Sequence, residues 1–199
     1  MLTPDCPIET DRLLLRPFTP DDHDALFDIQ RRADVARYLY WEPRRAEEMP
    51  DVLAKRISQS CIRSEGDALA LAVVRRDTGA LVGDLLVFWV SREHRLGEIG
   101  YVFHPDHGGQ GFATEAAEVA LRLGFEGLGL HRMIGRLDAR NVRSARLLER
   151  LGMRREAHFV ENEYVKGEWT DEVVYAMVET EWRATRARDD TRVSRAPTP

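Results

Sequence analysis

Apolar and polar positions along the chain alternate between two periods, and the switches between them mark the elements. Residues 12–18 (RLLLRPF) read as a first strand. Thr19-Pro20-Asp21-Asp22 follows, with an N-cap, a proline for the first helical position and acids for the first turn. The pattern predicts a helix to about Arg31 that buries Leu26, Phe27 and Ile29. Residues 34–39 form a short helix or turn. In 43–63 a second amphipathic helix starts at Pro50, since proline inside a helix costs about 3 kcal/mol. Leu53, Ile57 and Cys61 would share its buried face. From Ala68 the period is extended. Ala68–Arg75, the turn Asp77-Thr78-Gly79 and residues 80–90 make an antiparallel hairpin, and 95–103 the next strand. A helix over 114–127, a strand over 133–137, a helix over 141–151 ended by Gly152, and strands over 159–165 and 169–178 complete the order. Strands and helices mixed in this way around a largely antiparallel sheet define an α+β domain.

Composition narrows the class. The chain has 199 residues, enough for one domain with a full core. A net charge of -5 gives no general affinity for nucleic acid or an anionic membrane, and leans toward a cationic partner. No run approaches the roughly 18 apolar residues that span a bilayer. The two cysteines, Cys6 and Cys61, have neither disulfide nor metal-ligand spacing, and the start MLTPDCPIETDR is no signal peptide, so the expected address is cytoplasmic. His104 and His107 have no clustered third ligand, so no metal is expected. The tail from 183 to 199 is rich in Arg, Asp, Thr and Pro, and is expected to be disordered.

The most informative stretch is HPDHGGQGFA at 104–113, between a strand and an alanine-rich helix. Gly108, Gly109 and Gly111 let backbone N–H groups converge while the new helix adds its positive dipole end, which makes an anion site. The absence of a Gly-Lys-Ser/Thr excludes a nucleotide P-loop, and the acidic residue and parallel unit of a dinucleotide site are missing too.

With its flanks, this stretch resembles a known motif. Glu98-Ile99-Gly100-Tyr101-Val102-Phe103-His104-Pro105 followed by Gly108-Gly109-Gln110-Gly111-Phe112-Ala113-Thr114-Glu115-Ala116 is similar to the coenzyme A motif of the GNAT N-acetyltransferase superfamily. The resemblance is nearest to the RimJ/RimL branch, which acetylates ribosomal-protein N-termini. It extends to Asn141, Ser144, Leu148 and Gly152-Met153, to the opening Glu9-Thr10-Asp11-Arg12-Leu13, and to Gly167-Glu168-Trp169-Thr170-Asp171. It covers about residues 8–182. The implied fold is one domain with a mixed, mostly antiparallel central sheet and helices on both faces. One departure is Gly108, where the superfamily usually has Arg or Gln.

The resemblance implies acetyl-CoA as acyl donor. Its pantetheine would lie along Tyr101, Val102 and Phe103, and its pyrophosphate against the turn from Gly108 through Gly109, Gln110, Gly111, Phe112 and Ala113 to Thr114. A strand N–H, of Val102 or Phe103, would polarise the thioester carbonyl. The partner would be an amine, either a protein or peptide N-terminus or a small molecule, and the architecture admits a homodimer. At pH 7 an α-amine is about 14% neutral and a lysine only about 0.04%, so an α-amine asks less of a base. Glu98 is the first candidate for that base and Glu163 the second. Much of the superfamily protonates the departing thiolate with a tyrosine at the position of Leu148, so Ser144 takes that role here, with Asn141 contacting pantetheine or water, or simply capping its helix. Trp41, Trp89, Trp169 and Tyr38 are core residues or acceptor-cleft walls. Two alternatives stay open: another donor such as succinyl-CoA, and an acyl-CoA-binding regulator without turnover.

Overall fold

The computed structural model describes residues 1–193. Eight strands form one sheet in the order β1-β2-β3-β4-β5-β6-β8-β7. They are β1 (Ile8–Glu9), β2 (Leu13–Arg16), β3 (Ala68–Arg75), β4 (Leu81–Ser91), β5 (Leu96–Phe103), β6 (Arg132–Asp138), β7 (Arg154–Val165) and β8 (Glu168–Val178). Every neighbouring pair is antiparallel except β5 and β6, which run parallel. The helices are α1 (His23–Gln30), α2 (Ala33–Ala36), α3 (Met49–Ser58), α4 (Phe112–Arg122), α5 (Val142–Arg150) and α6 (Glu179–Val193). The expected α+β sheet with helices on both faces is therefore present.

Strand β3 shows how the two faces are built. Its run of apolar residues alternates by size: Leu69, Leu71 and Val73 enter a core with Ala116, Ala117, Ala120 and Leu121 of α4. Ala68, Ala70 and Ala72 face the other way and leave room for Leu26 of α1 and Met49 and Leu53 of α3. A strand buried on both faces reads as a continuous hydrophobic run, as this one does. The entry to α1 follows the expected signals, with a 3-10 turn at Pro20–Asp22. The Thr19 amide donates to Asp22 at 2.8 Å, and Arg16 holds the same carboxylate at 2.7 and 2.8 Å. Burial pushes the Asp22 carboxyl up, but these hydrogen bonds outweigh it and hold it below the usual range.

Three features differ from the reading of the sequence. Helix α3 ends at Ser58, so Cys61 lies beyond it, half-buried rather than on a helical core face. The two-residue β1 was not foreseen, being too short for a periodicity to show. The expected disordered tail begins as helix: α6 runs through 183–193. Trp182 anchors it, stacked on Phe125 at 5.7 Å and donating from Nε1 to Glu126 at 2.9 Å, and an i,i+4 pair joins Glu179 to Arg183. Residues 194–199 of the expected tail lie outside the described residues.

Between α3 and the sheet lies a buried ion pair. Arg56 Nε donates to Asp84 Oδ2 at 2.6 Å, and the Asp84 side chain is fully buried. Its Oδ1 has no hydrogen-bond donor among the described residues. Burial pushes the Asp84 carboxyl up, and Arg56 opposes that shift. Removing one partner of such a pair strands a charge, at a cost of about 3–5 kcal/mol, whereas apolar replacement of both is often neutral. Arg56→Ala is expected to lower stability by about that amount in urea unfolding, and Arg56→Met with Asp84→Leu to stay near the original midpoint.

Candidate active site

The site begins as a defect in the sheet. Strand β5 pairs with β4 along its whole length, from Leu96↔Ser91 to Phe103↔Gly83. With β6 it pairs only at Leu96↔Arg132, Gly97↔Met133 and Glu98↔Ile134. Beyond these pairs β6 stays with β8 through Asp138↔Glu172, so the two parallel strands part and a wedge opens between them. The alternation of hydrogen bonds decides which amides face that wedge. His104 N–H donates to Val82 O at 2.9 Å, which makes Phe103↔Gly83 a non-hydrogen-bonded pair. The N–H of Val102 therefore points to β4, and those of Tyr101 and Phe103 point into the wedge. Of the two amides expected to polarise a carbonyl there, that of Phe103 faces the wedge and that of Val102 faces β4.

At the wedge's mouth, His104 caps a 3-10 turn at Pro105–His107, its Nδ1 accepting from the Asp106 amide at 3.2 Å. Asp28 approaches its Nε2 at 3.1 Å. His104 is thereby a buried structural residue, and no cluster of three metal-ligating side chains occurs among the described residues. Gly109 (φ 75°) and Gly111 (φ 84°) take left-handed backbone angles that side chains resist, and the space a Gly109 Cβ would occupy is open. From 109 to 114 the backbone amides have no hydrogen-bond acceptor among the described residues. They sit at the positive end of α4, an arrangement suited to a diphosphate.

Gly108 behaves differently from the expectation. Its N–H is spent on Pro105 O at 2.8 Å, so it cannot join the cradle. A Cβ there would lie 2.9 Å from the same carbonyl, so a side chain at 108 would require the turn to shift.

The cradle is braced by the first strands. Arg12 Nη1 donates to Gln110 O at 2.7 Å and its Nε to Glu115 at 2.7 Å, while the Thr10 hydroxyl and the Arg12 amide donate to Glu115 at 2.6 and 2.9 Å. Arg12 and Arg75 both lie over the Phe112 ring, at 4.8 and 5.1 Å from its centroid. Burial pushes the Glu115 carboxyl up, but Thr10 and Arg12 more than reverse this, so it stays ionised and the brace stays charged. Turning the Gln110 carbonyl toward Arg12 leaves the neighbouring amides facing out. The opening Thr10-x-Arg12 motif carried no stated role in the sequence; this is its structural one.

The side chains expected to do chemistry divide between the faces of β5. On the α4/α5 face the Tyr101 hydroxyl lies 2.7 Å from Ser144 Oγ. Burial pushes the Tyr101 phenol up to about 12, so it keeps its proton. Asn141 caps α5, its Oδ1 accepting from the Ser144 amide at 3.1 Å. Leu148 is buried against Gly135, where any Cβ would come within 2.8 Å of it. On the α1/α3 face, Glu98 Oε2 is held by Arg136 at 3.1 Å, while its Oε1 has no partner among the described residues. Glu163 accepts from the Tyr40 hydroxyl at 2.7 Å. Glu172, which the sequence did not single out, lies beside them with its carboxyl raised by burial and by Glu163. Of the four aromatic residues noted in the sequence, Trp89 packs on the core, Trp169 is 60% exposed against Tyr164, and Trp41 and Tyr38 lie under Arg44 and Arg37.

Known proteins share this fold. Residues 12–154 match the family model described as an acetyltransferase (GNAT) domain. YnaD of Bacillus subtilis, described as an uncharacterized N-acetyltransferase, is 34% identical over 178 residues, covering 88% of this chain and 98% of the relative. A spermidine N(1)-acetyltransferase of Escherichia coli is 26% identical over 160 residues, covering 80% and 82%. The crystal structure of a GNAT-family acetyltransferase from Bacillus anthracis superimposes with a TM-score of 0.78 at 32% identity, covering 87% of this chain and 99% of that one. With a family model matched across most of the domain and a relative aligned nearly end to end, the chain belongs to the GNAT family of N-acetyltransferases.

Proposed function

We propose that this enzyme, with residues 8–182 as its catalytic unit, transfers the acetyl group of acetyl-CoA to an amine by direct attack, and that it is of the RimJ/RimL type. The observation that carries the reading is the wedge between β5 and β6, with unpaired strand amides along one side and six unpaired amides at its mouth. The branch assignment rests on Asn141-x-x-Ser144 and on Leu148 in place of a tyrosine. Acetyl-CoA supplies an activated thioester. The amides of residues 109–114 hold its diphosphate, and Tyr101 and Phe103 offer sheet-like hydrogen bonds to its pantetheine amides. An N–H on the wedge side of β5 is the donor for the carbonyl oxygen as charge develops on it; one such donor contributes about 10²–10³ in rate.

Two proton transfers fall to the two faces. Glu98 accepts the amine's proton through Oε1, directly or by way of water, with its other oxygen fixed by Arg136. Ser144 protonates the leaving sulfur and is backed by Tyr101, whose retained proton keeps the pair supplied with a donor. The acceptor is a protein or peptide N-terminal α-amine or a small-molecule amine. A succinyl donor would need a cation for its second carboxylate, and Arg136, the guanidinium at the wedge, is engaged by Glu98. No helix among the described residues is long and apolar enough to cross a membrane, and both cysteines are free, in keeping with a cytoplasmic enzyme.

The direct test is calorimetry with acetyl-CoA together with thiol release across a panel of amines; no binding at millimolar concentration would end the proposal, and binding without turnover would leave a regulator. Ser144→Ala is expected to lower kcat about tenfold or more with little change in either KM, checked by initial rates. Glu98→Gln should cost about 10²-fold in kcat/KM at pH 7, with the deficit shrinking as pH rises, because more amine is then already neutral. Arg12→Ala should raise the KM for acetyl-CoA about tenfold with kcat nearly kept, since it loosens the cradle without touching the reacting atoms.

A further inference from the structure

Most arginines that border the turn before α4 already have acidic partners. Arg12 is bound to Glu115 and to the Gln110 carbonyl, Arg75 to both oxygens of Asp77, and Arg32 to Asp34. Arg150, which reaches the turn from the last turn of α5, has none. Its Nε donates to Thr114 Oγ1 at 3.5 Å, a long bond to a neutral oxygen, and it forms no ion pair among the described residues.

The surroundings make that isolation unfavourable. Thr114 is the third residue of α4, so the guanidinium stands at the positive end of that helix, where a cation is repelled. It also stands beside the amides of 109–114, donors that have no acceptor among the described residues. The nearby acids are engaged elsewhere: Glu115 by Thr10 and Arg12, and Asp106 by Arg32 at 3.8 Å. A basic residue suits the C-terminal end of α5 itself, but that does not turn its side chain onto α4. Arg150 is also close enough to Tyr101 for its charge to oppose the upward push of burial on the phenol. It therefore borders the wedge as well as the cradle.

Unpaired amides and an unpaired guanidinium thus flank one place from two elements, and both suit the same anion. The amides of a turn and helix start can hold one phosphate unaided. A planar guanidinium adds donors in a fork, which meet phosphate oxygens in pairs. We infer that Arg150 is the side-chain ligand of the donor's diphosphate. It grips from α5 what the amides of 109–114 hold from the turn, and so fixes how far the pantetheine arm extends along β5. This rests on the acetyl-transfer reading above and goes beyond it, since there the cradle acts through its backbone alone. Gly108 brings neither a side chain nor a free N–H to the turn, so the second grip falls to α5.

The test is calorimetry with CoA and with dephospho-CoA, which keeps the diphosphate but lacks the phosphate on the ribose. Arg150→Met is expected to weaken both by the same factor, about tenfold, and to flatten the salt dependence of binding. Arg150→Lys, which keeps the charge and loses the fork, should fall between. Arg92→Met removes the same charge in the turn between β4 and β5, at the far end of β5, and should bind both as the unaltered protein does. Without ligand the melting temperature of Arg150→Met should be unchanged, whereas its rise at millimolar CoA should shrink; a purely structural role would lower the first. Should Arg150→Met fail to fold, Arg150→Lys carries the comparison. Unchanged affinity in the Arg150 variants, an equal loss in Arg92→Met, or a loss with CoA that disappears with dephospho-CoA would overturn the inference and leave acetyl transfer standing. Failure of the unaltered protein to bind CoA at millimolar concentration would overturn acetyl transfer, and the role of Arg150 with it.

Discussion

The parting of two parallel strands after three residue pairs governs the rest of this structure. Backbone N–H and C=O groups inside a sheet are normally paired, and leaving them open in a protein interior is costly. Here β4 fully satisfies one edge of β5, and the other edge of its last five residues is offered to the wedge. β6 is held in place on its far edge, which is paired with β8 throughout. The unpaired groups of β5 are fixed in direction by the ladder with β4 and open to the wedge. Pre-organised donors of this kind are what acyl transfer asks of a protein.

The wedge also sorts the chemistry by face. Because side chains alternate along β5, Tyr101 is directed to α5 and Ser144, while Glu98 is directed to Arg136. The two hydroxyls and the carboxylate are therefore kept on opposite sides of one strand.

Much of this was legible in the sequence. Strand β3 was read to the residue, because a run of buried apolar positions flanked by turn residues is unambiguous. The turn at 108–111 declared itself through glycines that nothing but left-handed backbone requires at 109 and 111. What escaped reading depended on partners far along the chain. The commitment of Gly108 to Pro105 is local but invisible without coordinates. The choice between the amides of Val102 and Phe103 depends on the register with β4, which composition does not encode. Glu172 drew no attention because an acid in a strand usually faces water; only the sheet order buries it beside Glu98 and Glu163. The helix α6 was not legible because its anchor, Trp182, finds its partners in Phe125 and Glu126.

The brace from Arg12 to Gln110 and Glu115 joins groups about a hundred positions apart. Closing so long a loop carries an entropic cost that is recovered only when the first strands have docked on the sheet. The turn at 109–114 is thus thermodynamically linked to the chain's opening segment. Whatever occupies the cradle must also tighten the N-terminal strands, so ligand occupancy should be felt as slower amide exchange in β1 and β2, remote from the acyl group itself.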